Sequence, residues 1–146
     1  MPVDVVTSIE IARPVDVVAG YTQDPGNAPE WYANIVSVEW ETPPPLALGS
    51  RIAFRARFLG RQLAYTYEIV ELVPGASLVM RTSEGPFPME TTYAWEAIDA
   101  GRARMTLRNR GAPSGFASVA GPAMAKAMSR ANAKDLARLK ALLEQG

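Results

Sequence analysis

The sequence predicts an α+β fold in which a curved antiparallel sheet of about seven strands wraps around one long C-terminal helix, with two short helices after the first strand. Three observations predict it. Apolar and polar residues alternate in the first segment and through most of residues 51–111. Turn sequences rich in glycine and proline separate the alternating segments, and a helix-forming stretch follows them. The 146 residues, 48% of them hydrophobic, suit a single domain over 1–146 with a sizeable core.

The N-terminal part of the chain is predicted to contain two strands and two short helical segments between them. Residues 3–11 alternate and are rich in valine and isoleucine, which is typical of a strand. A helix over about 14–22 begins with a proline and an early acidic residue. Residues 29–35 allow at most two more helical turns, and 36–41 form a strand that the prolines at 43–45 end.

The next segment is predicted to be a β-hairpin. A two-residue turn at Gly60-Arg61, with glycine first, suits a type II′ turn. Its register pairs Phe54 with Tyr67 and puts apolar residues opposite each other on one face and polar residues on the other. A register that sorts both faces indicates that one face is buried.

Two further turns continue the sheet. Residues 73–76 suit a type II turn, and a loop at 99–101 pairs Tyr93 with Leu107 on the inner face. The outer face of these strands places arginines opposite carboxylates. The arginines expected on the solvated outer face are Arg55, Arg57, Arg104 and Arg110.

The C-terminal segment, from about 116 to 145, is predicted to be the helix that covers the sheet. Pro122 predicts a kink or a separate short helix before it. Asn132 lies in the middle of an apolar stripe, and Asp135 is expected to be exposed. The apolar residues of this stripe are at positions 125, 128, 136, 139 and 143.

Composition removes several classes of function. Basic and acidic residues number 15 each, so no net charge attracts nucleic acid, and none is expected as a partner. Cysteine and histidine are both absent, which excludes disulfides, a thiolate nucleophile and a Ser-His-Asp triad. We expect no cofactor and no metal held by nitrogen or sulfur ligands. Any catalysis would use carboxylates, lysine, arginine, tyrosine or bound water.

The first residues contain no basic segment and no long apolar run. This predicts neither a signal peptide nor a membrane span, and a cytoplasmic location.

The order of elements and three stretches of sequence resemble a known superfamily. The stretches are RPVDVVAGYTQDPGNAPEWYANIVSVEW at 13–40, YEIVELVPGASLVMRT at 67–82 and ARLKALLE at 137–144. They resemble the START-like (Bet v 1-like, SRPBCC) superfamily, and within it the bacterial polyketide cyclase/dehydrase-like group. The resemblance covers essentially the whole chain and rests on pattern rather than on a catalytic signature. The iron-dependent oxygenase branch needs histidine ligands, which this sequence lacks.

The resemblance implies a helix-grip fold with a cavity between the long helix and the sheet that holds a mostly apolar ligand. The short helices and the loops between strands would form its mouth, which places Trp31 and Tyr32 at or under the mouth. The predicted inner face is rich in aromatic residues and methionine, where a solid core would more simply use leucine, isoleucine and valine. The residues predicted to contact the ligand are Trp31, Tyr32, Phe54, Tyr65, Tyr67, Met80, Met89, Thr91, Tyr93, Trp95, Met105, Asn109, Met124, Met128 and Asn132.

Two sets of polar residues are open to more than one interpretation. Asn132 either bonds Asn109, Thr91 or a tyrosine hydroxyl, or faces a ligand, because a buried amide needs a partner. Glu30 and Glu71 are the carboxylates nearest the expected ends of the cavity, where a general base could serve an aldol-type cyclisation. Neither has a partner at convincing spacing, so no catalytic residue is predicted.

Three functions remain open on this evidence. The first is binding of a small hydrophobic or amphipathic molecule, including a lipid, without catalysis. The second is a cyclase/dehydratase-like enzyme acting on an aromatic or polyketide substrate. The third is an interaction module of the Hsp90-activator type. A homodimer is compatible with each of them.

Overall fold

The structure is a computed structural model that describes residues 3–58, 60–84, 88–111 and 121–145. Within these ranges, seven strands form one sheet and three α-helices flank it. The strands are β1 (Val3–Ile11), β2 (Ile35–Trp40), β3 (Arg51–Phe58), β4 (Arg61–Val73), β5 (Ser77–Glu84), β6 (Met89–Asp99) and β7 (Arg102–Gly111). The helices are α1 (Val15–Thr22), α2 (Ala28–Trp31) and α3 (Gly121–Gln145), with a 3₁₀ turn at Pro25–Asn27.

The sheet is antiparallel throughout, in the order β1-β7-β6-β5-β4-β3-β2. From β2 to β7, each strand pairs with the strand that follows it in the chain. The first strand, β1, pairs with the last one, β7. The predicted fold class is confirmed: a curved sheet, a long C-terminal helix and short helices after the first strand.

Helix α3 covers the concave face of the sheet and contacts β1 and α2. It begins at Gly121, so Pro122 lies in the first turn, where a missing backbone N–H costs nothing. What precedes Gly121, where a separate short helix was an alternative, lies outside the described residues. Leu136, Leu139 and Leu143 are the buried leucines by which α3 joins the main core. No helix of the described ranges is long and apolar enough to cross a membrane.

Helix α1 closes one end of the concave face and packs on β6 and β7. Its buried residues include Val18 and Thr22, and the Thr22 hydroxyl accepts a 2.8 Å hydrogen bond from the Trp95 indole N–H. The side chain of Asp24 accepts a hydrogen bond from Gly26 N and so begins the 3₁₀ turn that leads to α2. This segment positions the aromatic residues at the end of α2.

The hairpin of β3 and β4 differs from its predicted register by two residues. Phe54 pairs with Tyr65 rather than Tyr67, and the strands end at Phe58 and Arg61. The glycine is therefore the second turn residue, with φ at 76°, and not the first. A shift by an even number preserves the predicted faces, because side chains alternate with a period of two.

The loop predicted at 99–101 is shorter than expected, because Asp99 belongs to β6 and pairs with Arg102 after a register shift. Other predicted pairings are confirmed. Ile69 lies opposite Met80 after a turn in which Gly75 has a φ of 75°, as a type II turn requires. Tyr93 pairs with Leu107. The arginines predicted on the outer face, Arg55, Arg57, Arg104 and Arg110, are all exposed.

Candidate ligand-binding cavity

A cavity of about 160 Å³ lies between α3 and the concave face of the sheet. Strands β3 to β7 supply most of its wall, α3 closes it on one side, and the segment after α2 closes it at one end. Its lining is mainly aromatic, aliphatic and methionine side chains. The described lining residues are Tyr32, Asn34, Ile35, Phe54, Ala56, Leu63, Tyr65, Tyr67, Met80, Met89, Thr91, Tyr93, Asn109, Met124, Met128, Ala131, Asn132 and Asp135.

Most residues predicted to contact a ligand line this cavity, but Trp31, Trp95 and Met105 lie elsewhere. All three belong to the main core cluster, and Trp31 and Met105 are fully buried. The expectation that Trp95 borders the cavity is wrong, because α1 packs on its strand and bonds its indole. Ligand contact by the residues that do line the cavity is a proposal, which we take up below.

A chain of polar side chains crosses the wall between α3 and the sheet. Asn132 Nδ2 donates to Asn109 Oδ1 at 2.7 Å, and Asn109 Nδ2 donates to the Thr91 hydroxyl at 2.9 Å. Burial raises the pKa of Tyr67, and a hydrogen bond with Thr91 opposes this effect. Asn132 therefore combines the two interpretations of its position: it bonds Asn109, and it also borders the cavity.

Two tyrosine hydroxyls meet at the end of the cavity nearest α2. The hydroxyls of Tyr32 and Tyr93 lie 2.8 Å apart and form a hydrogen bond. The ring of Trp31 stacks on Tyr32 with centroids 3.9 Å apart and lies 5.8 Å from the ring of Tyr93. Burial raises the pKa of both tyrosines, so both hydroxyls stay protonated at neutral pH. The neighbouring residues Trp31 and Tyr32 thus have different surroundings: Trp31 is packed in the core, and Tyr32 lines the cavity.

Asp135 is the carboxylate of the cavity, and the prediction that it is exposed is wrong. Asp135 is only 3% exposed, and its Oδ1 accepts a 3.1 Å hydrogen bond from the backbone N–H of Ala33. Burial raises its pKa from 3.8 to about 6, although the bond from Ala33 and the charge of Arg138 act in the opposite direction. A carboxyl group with this pKa exists in both protonation states near neutral pH, which suits it for hydrogen bonding or proton transfer.

The carboxylates that the sequence placed near the ends of the cavity lie outside it. Glu30 is exposed and accepts a 2.8 Å hydrogen bond from the Tyr21 hydroxyl, and Glu71 is exposed on β4. The spacing of α3 contained the signal for Asp135, which follows Asn132 by three residues and Met128 by seven. That spacing places it on the same helical stripe.

Other lining residues missing from the sequence prediction are mostly small or at element ends. Ala56 and Leu63 share the faces of their predicted strands with Phe54 and Tyr65, so alternation could have identified them. Asn34 and Ile35 follow α2, where the sequence has no periodic signal. Among the residues that the structure describes, no group of three or more carboxylates could hold a metal ion.

Comparison with known proteins agrees with this architecture. The sequence profile of the family described as polyketide cyclase / dehydrase and lipid transport matches residues 2–144. No curated protein sequence matches the chain. A START superfamily protein from Mycobacterium smegmatis superposes with a TM-score of 0.83 at 14% identity, over 97% of each chain.

Two further solved structures share the fold. The Zhui aromatase/cyclase from Streptomyces sp. R1128 superposes with a TM-score of 0.81 at 16% identity, over 99% of this chain and 95% of that one. The major latex-like protein 151 of Panax ginseng does so with a TM-score of 0.75 at 15% identity, over 96% of each chain. At these identities the structures establish the fold, while the profile match establishes membership. The chain therefore belongs to the polyketide cyclase/dehydrase and lipid transport family, with a START-like ligand-binding fold.

Proposed function

We propose that this protein binds a small, mostly apolar molecule in the cavity between α3 and the sheet, as a carrier or sensor. The cavity itself supports the proposal most strongly. Close packing is the norm in protein interiors, so an unfilled space lined by aromatic and methionine side chains has a cost in stability that binding can offset. Polar groups at two places on the wall, Asn132 and Asp135, could orient a ligand.

The size of the cavity favours a ligand with about one ring. An apolar cavity of roughly 150 Å³ is enough to hold benzene, whereas sites for drug-sized ligands measure about 300–1,000 Å³. At about 160 Å³, the cavity is near the lower of these sizes. We therefore expect single-ring compounds to bind in preference to multi-ring ones.

A cavity-filling variant tests this proposal. Ala131 on α3 lines the cavity, and Ala131→Leu should occupy part of the space that a ligand needs. Ala133, exposed on the same helix, gives the matched control Ala133→Leu. Isothermal titration with ethylbenzene and benzyl alcohol should show binding to the wild type and the control, and weaker binding, by tenfold or more, to Ala131→Leu.

Two outcomes of that titration would count against binding in this cavity. One is equal affinity in Ala131→Leu and the wild type, and the other is no binding of either probe to the wild type. Native mass spectrometry of freshly purified protein gives a second, independent readout. A co-purified molecule of low mass that is lost in Ala131→Leu but kept in Ala133→Leu would support the proposal.

A specific observation also favours a second candidate function, a cyclase/dehydratase-like enzyme for an aromatic or polyketide substrate. Asp135 is a buried carboxylate that acts electrostatically on Tyr32 and Tyr93, and its pKa of about 6 suits a general base. Incubation with a poly-β-keto thioester, followed by mass spectrometry, should show intramolecular aldol addition of an enolate carbon to a ketone and then loss of the new hydroxyl group as one water, which Asp135→Asn abolishes. The absence of product above the buffer control would leave the carrier function.

The interaction-module hypothesis gains no such support. The large apolar side chains that are exposed in the described part of the chain are distributed over separate segments. Val6 is on β1, Val36 on β2, Leu48 in the β2–β3 loop and Val73 at the end of β4. Protein-docking surfaces more commonly present a contiguous apolar patch.

A further inference from the structure

Among the described residues that line the cavity, the charged side chains are acidic and none is basic. Among the described lining residues, Asp135 is the only one with an ionisable acid or base that is charged at neutral pH, and no lysine or arginine is among them. The positions outside the described ranges contain no Asp, Glu, Lys or Arg in the sequence. The chain thus offers an anion to a ligand here, without a cation that would bind an acidic headgroup.

The nearest basic group on α3 has another partner. Arg138 follows Asp135 by three residues and is exposed, and its Nε donates a 2.6 Å hydrogen bond to the backbone carbonyl of Glu30. Its charge reaches Asp135 only as a through-space effect that is smaller than burial. Among the described residues, the backbone N–H of Ala33 is the one hydrogen-bond donor to the carboxylate. A carboxylate accepts more than one hydrogen bond, so Asp135 retains capacity for a ligand.

Aromatic rings surround the same space. Tyr32, Tyr67 and Tyr93 line the cavity with Asp135, and the hydrogen bond to Asp135 from Ala33, the residue after Tyr32, places the carboxylate at the Tyr32 end. The faces of aromatic rings attract cations, most strongly where water is excluded. A carboxylate beside several rings is therefore complementary to an organic ammonium group attached to an apolar body.

We propose that the ligand is a small single-ring amine whose protonated nitrogen binds Asp135, and that the cavity excludes organic acids of the same size. This inference rests on the proposed function, because it names the class of molecule for the same cavity. An ammonium group would supply a cationic partner, which the described lining residues do not give the buried carboxylate. A ligand carboxylate would instead place two negative charges together in a poorly solvated space.

A series of matched probes tests the proposal on the wild type alone. Ethylbenzene, 2-phenylethanol, 2-phenylethylamine and phenylacetate share one ring and a similar length but differ in headgroup. By isothermal titration at pH 7.5, we expect the amine to bind about tenfold more tightly than the alcohol, and phenylacetate to bind most weakly. The proposal is overturned if phenylacetate binds as tightly as the amine, or if the alcohol equals the amine.

Two variants then assign the preference to one side chain. Asp135→Asn keeps an oxygen that can accept from Ala33 but removes the charge, so it should bind the amine no more tightly than 2-phenylethanol. Asp16→Asn makes the same change at an exposed position of α1 and should behave as the wild type. Circular dichroism melts would check that Asp135→Asn folds, and the wild-type series decides the question if it does not.

The design separates failure of this inference from failure of the proposed function. If none of the probes, ethylbenzene included, binds the wild type, the binding function itself fails. If ethylbenzene binds but the amine has no advantage, or keeps its advantage in Asp135→Asn, only the assignment of the ligand class to Asp135 fails.

Discussion

At the scale of single residues, burial decides the chemistry of Asp135. The sequence suggested an exposed helix residue because aspartate is rarely buried without a partner. The structure places it 3% exposed on the cavity side of α3, with the backbone of Ala33 as hydrogen-bond donor. Burial therefore raises the pKa of Asp135 to about 6, so the carboxyl group loses its proton between mildly acidic and neutral pH.

Replacing this carboxyl group should change how stability depends on pH. The folded-state pKa is about 6, against 3.8 ordinarily, so the folded protein binds this proton more tightly than the unfolded chain does. Between these two values its contribution to stability falls as pH rises, because folding then requires loss of hydration by a charged group. Burial raises the pKa of the nearby Tyr32 and Tyr93 hydroxyls, so neither of them titrates in this window.

We therefore compare the free energy of unfolding of Asp135→Asn with that of the wild type at pH 4 and at pH 7.5. The difference should shift in favour of Asp135→Asn by about 1–3 kcal/mol between the two pH values. Urea unfolding of both proteins at the two pH values would measure this. Parallel dependence on pH in the two proteins would show that the carboxyl group titrates normally.

Single residues also show where sequence reasoning reached its limit. The sequence predicted that Asn132 bonds Asn109, Thr91 or a tyrosine hydroxyl, or faces a ligand, because an amide on an apolar stripe needs a partner, and the structure shows the bond to Asn109. Trp95 could not be placed correctly, since alternation identifies the face of a strand but not the position along it that a helix covers. Its contact with Thr22 depends on how α1 lies across β6, which the pattern of neither element specifies.

At the scale of elements, turns set the registers, and glycine conformation decided one of them. The sequence predicted Gly60 in the first place of its turn, and this was wrong: the structure has it second, with a φ of 76°. The turn at 73–76 had one good alternative, proline followed by glycine, and its register was predicted correctly.

The contact between α1 and β6 should depend on one hydroxyl. Thr22 Oγ1 accepts from Trp95 Nε1 at 2.8 Å and donates to the carbonyl of Val18. Thr22→Val keeps the shape but leaves the buried indole N–H without a partner, which should cost about 1–3 kcal/mol of unfolding free energy. Thr22→Ser keeps the hydroxyl and is the control. Chemical denaturation compares them, and a loss in Thr22→Val no larger than that in Thr22→Ser would contradict the role given to the hydroxyl.

Two glycines should respond in opposite directions to alanine. A Cβ on Gly111, at the end of β7, would overlap Met89 Sδ and lie 2.5 Å from the carbonyl oxygen of Pro88, so Gly111→Ala must displace β6 or β7. Gly20 lies inside α1 with nothing within 4 Å of such an atom. Gly20→Ala should stabilise the protein by about 0.5–1 kcal/mol through helix propensity. Thermal melts of both would test this, and a stabilising Gly111→Ala would contradict the close approach.

At the scale of the whole molecule, the two faces of the sheet have different roles. The concave face holds the core and the cavity, whereas the convex face carries ion pairs between neighbouring strands. Arg104 bridges Glu10 and Glu96, and Glu90 accepts from two arginines. Such exposed pairs typically contribute about 0–1 kcal/mol each, so stability should come mainly from the concave side.

Two matched carboxylates on β6 can test this division between the faces. Glu90 has an 18% exposed side chain and accepts from Arg81 at 2.6 Å and Arg110 at 2.7 Å, and these bonds hold its pKa below its ordinary value. Glu96 is 70% exposed and has one bond of 3.2 Å. We expect Glu90→Gln to cost about 1 kcal/mol at low salt and less at high salt, and Glu96→Gln to cost a few tenths of that.

A buried residue on the opposite face provides the comparison. Leu107 is fully buried in the core, and Leu107→Ala should cost about 2–5 kcal/mol through lost burial and the new cavity, with little dependence on salt. Urea unfolding of the three variants at low and high salt gives all the values under the same conditions. The Glu90 contribution should also disappear as the pH falls below 4.5, because its lowered folded-state pKa stabilises the protein only while the group is ionised. A loss in Glu90→Gln as large as that in Leu107→Ala would mean that the outer ion pairs, and not the concave core, dominate the stability of the sheet.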